Sequence, residues 1–266
     1  MSDKVTIKTV LGMKGKEKVA MLTAYDYPTA LYVDRSGAEI LLVGDSLAQV
    51  VLGYDSTVPI TMEEMLHHTR AAHRGCSRAL LVADMPFGSY QSGPVQAMEN
   101  AARFLKEANA ESVKIEGGVH MAETIEFLVR RGIPVMGHVG LTPQSVHQMG
   151  GYRIQGRGEE GLRMLQDDAH AVQDSGAYSI VLEGIPTDAA AQITEELSIV
   201  TIGIGAGQHC DGQVLVLNDM LGIYDKFVPK FVKQYAQIGT EMEKAMSDFI
   251  KEVKGGKFPT KEYSYD

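Results

Sequence analysis

Glu39-Ile40-Leu41-Leu42-Val43-Gly44-Asp45-Ser46 runs consecutive apolar residues straight into a Gly-Asp-Ser turn. A short Ile/Leu/Val run bounded by a turn reads as a strand buried on both faces, the signature of a parallel sheet. Its polar residues sit at the carboxyl end, where parallel sheets, open or closed, carry their chemistry. The design recurs in Ala79-Leu80-Leu81-Val82-Ala83-Asp84, in Ser112-Val113-Lys114-Ile115-Glu116 and in Ser179-Ile180-Val181-Leu182-Glu183. Each of these strands ends on a carboxylate.

Helical stretches separate the strands. Residues 6–15 read as a short helix with Ile7, Val10 and Leu11 on one face, placed to plug the floor of a barrel. A strand over 19–26 and a helix over 28–36, closed by Gly37, follow. Residues 48–60 read as a long loop, and Thr61 with Glu64 makes a capping box for a helix reaching Gly75. Its His67, His68 and His73 read as solvated or packed residues. Residues 93–110 are expected to be helical, with Val95, Met98, Ala102 and Leu105 at helical spacing. Strands over 112–118, 134–140, 177–183, 199–205 and 213–217 alternate with helices over 120–132, 159–175 and 187–197. Residues 141–157, rich in Gly and Gln, read as a flap. From Pro229 onward Phe231, Tyr235, Ile238, Met242, Met246, Phe249 and Val253 keep a helical period, read as a closing helix or pair of helices. Such alternation in 266 residues predicts an α/β fold, a (β/α)8 barrel. The expected organisation is one domain, 1–266, with an N-terminal helix and a C-terminal helical segment. A doubly wound open sheet is the alternative.

A hydrophobic content of 44% supports a sizeable core, and a net charge of −9 leaves no basic patch for nucleic acid. No apolar run approaches the roughly 18 residues of a membrane span, and the start lacks a signal-peptide core. Cys76 and Cys210 stand far apart without metal-type spacing, which reads as free thiols in a cytoplasmic protein.

Asp45, Asp84 and Glu116 would converge on one rim of such a barrel. Carboxylates in one cavity repel unless a cation sits between them, and oxygen ligands without a thiolate suit Mg²⁺. Helix capping or arginine pairing is the alternative for each acid. Lys114 points to the same face as Glu116, so it needs an anion there, either substrate or a neighbouring acid. Glu183, followed by Gly184-Ile185-Pro186, is placed to take a proton from carbon, or else to cap a helix. His138 could donate to a substrate oxygen or simply pack. Tyr25, Ser46 and Ser89 are loop-edge hydroxyls that could touch a ligand. The Gly203-x-Gly205-x-Gly207 run lacks the spacing of a dinucleotide fingerprint.

Taken together, Thr23-Ala24-Tyr25-Asp26, Val43-Gly44-Asp45-Ser46, Asp84-Met85-Pro86-Phe87-Gly88, Val113-Lys114-Ile115-Glu116-Gly117-Gly118, Gly137-His138-Val139-Gly140-Leu141-Thr142-Pro143-Gln144 and Leu182-Glu183 resemble the ketopantoate hydroxymethyltransferase family. The resemblance implies a Mg²⁺-dependent barrel enzyme. It would join a one-carbon unit from 5,10-methylenetetrahydrofolate to 3-methyl-2-oxobutanoate, in pantothenate biosynthesis. It also implies that Asp45 and Asp84 are metal ligands, with Glu116 as a ligand directly or through water. Asp45, Ser46, Asp84 and Lys114 match the positions that contact the oxo acid, and Glu183 the proton acceptor. A homodecamer is implied by the resemblance alone. Folate leaves no legible motif, though Arg153 or Arg157 of the flap could meet it. Two rival readings remain from the residues. One is a Mg²⁺-dependent carbon–carbon lyase of the phosphoenolpyruvate mutase or isocitrate lyase type, whose reactive Cys loop is missing here. The other is a non-catalytic ligand-binding barrel.

Overall fold

Eight short strands run parallel and close on themselves in sequence order. They are β1 Val19–Thr23, β2 Ile40–Val43, β3 Leu80–Asp84, β4 Ser112–Glu116, β5 Val135–Gly140, β6 Ser179–Glu183, β7 Val200–Ile204 and β8 Gly212–Leu215. Closure comes from β1 against β8, where Val19 lies opposite Gly212. The computed structural model describes residues 3–265. The chain forms two compact units, Met1–Val216 and Leu217–Asp266, and every strand belongs to the first. The closed order rules out the open-sheet alternative and bears out the barrel.

The first unit holds the helices α1 Ile7–Met13, α2 Tyr27–Ser36, α3 Leu47–Val50, α4 Met62–His73 and α5 Pro94–Ala108. After these come α6 Ala122–Val129, α7 Val146–Met149, α8 Gly158–Asp174 and α9 Thr187–Glu196. The Thr61–Glu64 capping box forms at α4 as its spacing predicts. A short helix, α3, occupies the start of what reads as a loop in the sequence. No helix separates β7 from β8, although a helical crossover is the usual link between parallel strands. The loop 205–211 makes the connection instead, with Gly205 and Gly207 at φ +61° and +78°. Only glycine adopts such angles without steric penalty.

Side chains alternate across each strand, so residues two apart share a face. One buried cluster takes Val19 and Met21, Ile40 and Leu42, Leu80 and Val82, Met136, Val181, Val200 and Ile202, and Val214. These alternate positions are the barrel interior. Val5 and Val10 join the same cluster, with the Val5 N–H donating to the Arg78 carbonyl at 2.8 Å. Val10, with Ile7 partly buried beside it, thus seals the floor, while Leu11 of the expected face is 40% exposed. Burial of such side chains contributes about 25 cal/mol per Å² of apolar surface, and the opposite end of the barrel is left to polar groups.

Two helical expectations need correction. On α5 the buried residues are Ala97, Ala101, Phe104 and Ala108, while Val95 is 64% exposed. Spacing fixes a helical period but not its phase, and small alanines let the helix approach the sheet closely. In the second unit the helices are α10 Leu217–Met220 and α11 Ile238–Lys254, so Phe231 and Tyr235 lie outside any helix. The N–H groups of Tyr235, Ile238 and Gly239 donate instead to the carbonyls of Met220, Leu221 and Gly222.

Asp34, buried on α2, locks the approach to β3. Its carboxylate accepts from the backbone N–H groups of Ser77, Arg78 and Ala79 and from the Ser77 hydroxyl, at 2.7–3.1 Å. Burial raises its pKa, but the donors of Ala79, Ser77 and Arg78 outweigh it, and the net shift is below the ordinary 3.8. A depressed carboxylate stabilises the fold above the unfolded-state pKa and loses that contribution as pH falls through the folded value. Asp34→Ala strands buried donors and should cost about 2–3 kcal/mol in urea denaturation at pH 7. The gap to wild type should narrow as pH falls below 3.8 and through the folded value; a gap that persists unchanged there would assign the loss to packing.

Candidate active site

The inward faces of β3, β4, β5 and β6 turn polar at their carboxyl ends. Leu80 and Val82 lead to Asp84, Ser112 leads to Lys114 and Glu116, Met136 to His138, and Val181 to Glu183. Register then sets the neighbours: Asp84 lies opposite Lys114, Glu116 opposite His138, and Gly140 opposite Glu183. Asp45 follows β2 by one glycine. Asp45, Asp84, Lys114, Glu116 and His138 are all buried, and Glu183 keeps 16% of its side chain exposed. The strand-end residues singled out in the sequence therefore meet on one rim.

Lys114 Nζ lies 3.1 Å from Asp84 Oδ1 and 3.2 Å from His138 Nδ1. Burial works against the lysine's charge, but Asp84, Glu116 and Asp45 hold its pKa above the ordinary value. The salt-bridge reading of Lys114 is thus realised. His138 continues the chain of contacts, with Nδ1 3.4 Å from Glu116 Oε1 and Nε2 3.1 Å from Glu183 Oε2. Burial and the Lys114 charge oppose the imidazolium, yet Glu116 and Glu183 outweigh them and raise it to about 9. Lysine has no lone pair to offer. The contact with Nζ thus favours an unprotonated Nδ1 while the two glutamates favour the charged ring; in the neutral form Nδ1 accepts from Nζ and the proton sits on Nε2, toward Glu183.

The Asp45 N–H donates to Asp84 Oδ2 at 2.9 Å, and Asp45 Oδ2 accepts from Gln144 Nε2 at 2.9 Å. Burial, then the charges of Asp84 and Glu116, push the Asp45 carboxyl well above the usual range. Asp84 Oδ1 and Glu116 Oε1 are buried and accept no aligned hydrogen bond; each has only its charge contact with Lys114 or His138. The Tyr25 and Ser46 hydroxyls lie 2.9 Å apart beside this group. Ser89 is local structure, its hydroxyl donating to the Pro86 carbonyl. From the flap, Tyr152 has its hydroxyl pKa raised by burial and by the charges of Asp45 and Glu183, while Arg153 and Arg157 are exposed.

The sequence reading assigned no role to Gln144 or Tyr90 and left that of His138 open. Position offered a signal only for His138, two residues after inward Met136. The arrangement can hold an anionic ligand against Lys114, carry a cation on uncommitted carboxylate oxygens, and present Glu183 as a base. Among the described residues, no three His, Cys, Asp or Glu side chains close into a ready-made metal cage.

A family model described as ketopantoate hydroxymethyltransferase matches residues 4–261. A protein of Syntrophobacter fumaroxidans named 3-methyl-2-oxobutanoate hydroxymethyltransferase is 54% identical over 265 residues, covering 100% of this chain and 94% of its own. One of the same name from Trichlorobacter lovleyi is 54% identical over 266 residues, with 100% of both chains covered. Among solved structures, a phosphoenolpyruvate phosphomutase of Streptomyces platensis subsp. rosaceus superposes with TM-score 0.62 at 14% identity, over 99% of this chain and 92% of that one. At that identity the likeness concerns the fold alone.

The raised Asp45 pKa has a signed consequence for the metal-free protein. A carboxyl that ionises later in the folded state than at the ordinary 3.8 loses stability as pH rises through that window. The slope reaches about 1.4 kcal/mol per pH unit for one proton. Asp45→Asn should flatten this dependence and leave the chelator-treated protein more stable than wild type at pH 8. Urea denaturation at pH 4 and pH 8 checks it; a variant less stable than wild type at pH 8 would contradict the repulsion.

Proposed function

The chain belongs to the ketopantoate hydroxymethyltransferase family, and from that premise we propose that its barrel mouth transfers a hydroxymethyl group from 5,10-methylenetetrahydrofolate to 3-methyl-2-oxobutanoate. The products are ketopantoate and tetrahydrofolate, within pantothenate biosynthesis. The observation that carries the reading is the meeting of Asp45, Asp84, Lys114, Glu116 and Glu183 on one rim, all but Glu183 buried.

Asp45 and Asp84 would hold Mg²⁺, with Glu116 as a direct or water-bridged third ligand. The donor set fits: all are hard oxygens, and Asp84 Oδ1 and Glu116 Oε1 lack aligned partners. Magnesium is commonly held by one or two carboxylates completed by water and ligand oxygens, so a closed protein cage is not required. Bound there, the ion supplies positive charge for the keto oxygen as an enolate develops.

The chain's own groups do the rest. Ser46 and Lys114 hold the oxo acid with Asp45 and Asp84, and the Lys114 ammonium shares the negative charge in a dry site where it counts most. Glu183 takes the proton from C3. That carbon then bonds to the folate-borne methylene, both of the methylene's bonds to folate nitrogens break, water supplies the hydroxyl oxygen, and the two nitrogens take up the C3 proton and one proton of the water. His138 Nε2 faces one oxygen of Glu183, leaving the other for the C3 proton. The carbon–carbon lyase reading is disfavoured by the family match over nearly the whole chain. The intact set of charged groups disfavours a non-catalytic barrel.

Tetrahydrofolate release that depends on both 3-methyl-2-oxobutanoate and a divalent metal is the deciding assay, and release without the oxo acid would sink the reading. Glu183→Gln should retain Mg²⁺ and oxo-acid binding while C3 proton exchange, followed by NMR, falls by at least about 100-fold. Unchanged exchange would remove Glu183 as the base. Asp84→Ala should weaken Mg²⁺ and oxo acid together in calorimetry.

The same reading makes the protein a cytoplasmic homodecamer. No described helix is long and apolar enough to cross a membrane, and Cys76 and Cys210 are free. On α11, Met242, Met246, Phe249, Ile250 and Val253 are exposed along one helix. Contiguous apolar surface of this kind marks association. Sedimentation should give roughly ten times the 28.9 kDa chain mass; a monomer at micromolar concentration would contradict the assembly.

A further inference from the structure

Gln144 opens the flap, in the turn Pro143–Ser145, yet it is only 5% exposed. Its side chain and backbone reach three strand ends at once. Nε2 donates to Asp45 Oδ2 and to the Met85 carbonyl, both at 2.9 Å, and the backbone N–H donates to Glu116 Oε2 at 3.0 Å. Its Oε1 accepts from the Tyr90 hydroxyl at 2.7 Å and from Gln91 Nε2 at 3.3 Å. The Tyr90 oxygen in turn accepts from the Glu116 N–H at 3.2 Å. A backbone carbonyl can only accept, so Met85 dictates which end of the amide faces Asp45. Every donor and acceptor of the amide is engaged, which leaves none for a substrate.

Resting on the metal assignment above, we propose that Gln144 is a positioning residue for the cation site. It binds one oxygen of Asp45 and one of Glu116 and so aims the other oxygen of each at the ion. Tyr90 is its anchor: the phenol fixes the amide from behind and ties it to the backbone of Glu116. An apolar side chain of the same length would fill the space and keep the backbone bond to Glu116 while releasing Asp45.

The test uses the full chain and Mg²⁺ itself, with Mn²⁺ as a spectroscopic substitute. Gln144→Met should lower Mg²⁺ affinity in calorimetry by about 10- to 100-fold, the usual effect of losing a group that orients a metal ligand. The zero-field splitting of bound Mn²⁺ should change with it. A role in packing alone would move the thermal midpoint and leave both readouts where they were. Tyr90→Phe should weaken Mg²⁺ by about fivefold. A folded Gln144→Met with wild-type Mg²⁺ affinity and Mn²⁺ spectrum overturns the proposal. If Gln144→Met does not fold, an unchanged Tyr90→Phe overturns it. If Asp84→Ala binds Mg²⁺ as tightly as wild type, the metal assignment itself fails and this role falls with it; loss in Asp84→Ala with none in Gln144→Met isolates the failure to Gln144.

Discussion

Asp45, Asp84, Glu116 and Glu183 crowd around the charges that Lys114 and His138 can offer, and the mouth of the barrel is built around that imbalance. Like charges in a poorly solvated site raise one another's free energy unless neutralised. The fold meets part of the demand through Lys114, wedged between Asp84 and His138. The rest shows as a displaced Asp45 carboxyl and as acceptor oxygens on Asp84 and Glu116 without aligned donors. A cavity in that condition is electrostatically prepared for a cation and for the charge that develops when a carbon acid loses its proton. Stability is given up at the mouth, and the apolar layer beneath it, from Val19 to Val214, compensates.

The division between floor and mouth follows from one alternation. Alternate residues face inward, and on β3 through β6 the inward residue at the carboxyl end is ionisable, so these four strands deliver their chemistry to the same height. Parallel register does the remaining work. It sets Lys114 beside Asp84 and His138 beside Glu116, pairings that no spacing along the chain encodes.

That distinction explains what could be read in advance. Continuous Ile/Leu/Val runs ending in Asp or Glu are local signals, and they sufficed for the barrel and for bringing Asp45, Asp84, Glu116 and Glu183 to one rim. The plug at Val10 was equally local, whereas Val5 joined it and Leu11 stayed outside. Gln144 and Tyr90 were illegible because their importance lies in contacts across residue separations of 99 and 54. The inward face of α5 was misjudged for a related reason. Ala97 and Ala101 carry little hydrophobic signal beside Val95, yet with Phe104 and Ala108 they form the buried face. Residues 229–237 kept a helical period while their neighbours' backbone groups found partners in the 220–222 turn. A periodic pattern states which residues could share a face, not whether the backbone will take the helical option.

The pairing of β1 with β8 bears on how the chain is made. Its two halves, Val19 and Gly212, stand near opposite ends of the first unit. A ribosome must therefore release almost that entire unit before the last seam can zip. Until then a growing sheet presents two naked hydrogen-bonding margins, the kind of surface to which another nascent sheet adds itself. Contacts so distant along the chain also make closure slow. During biosynthesis this protein is most vulnerable in the interval between the emergence of the first strand and the arrival of the eighth.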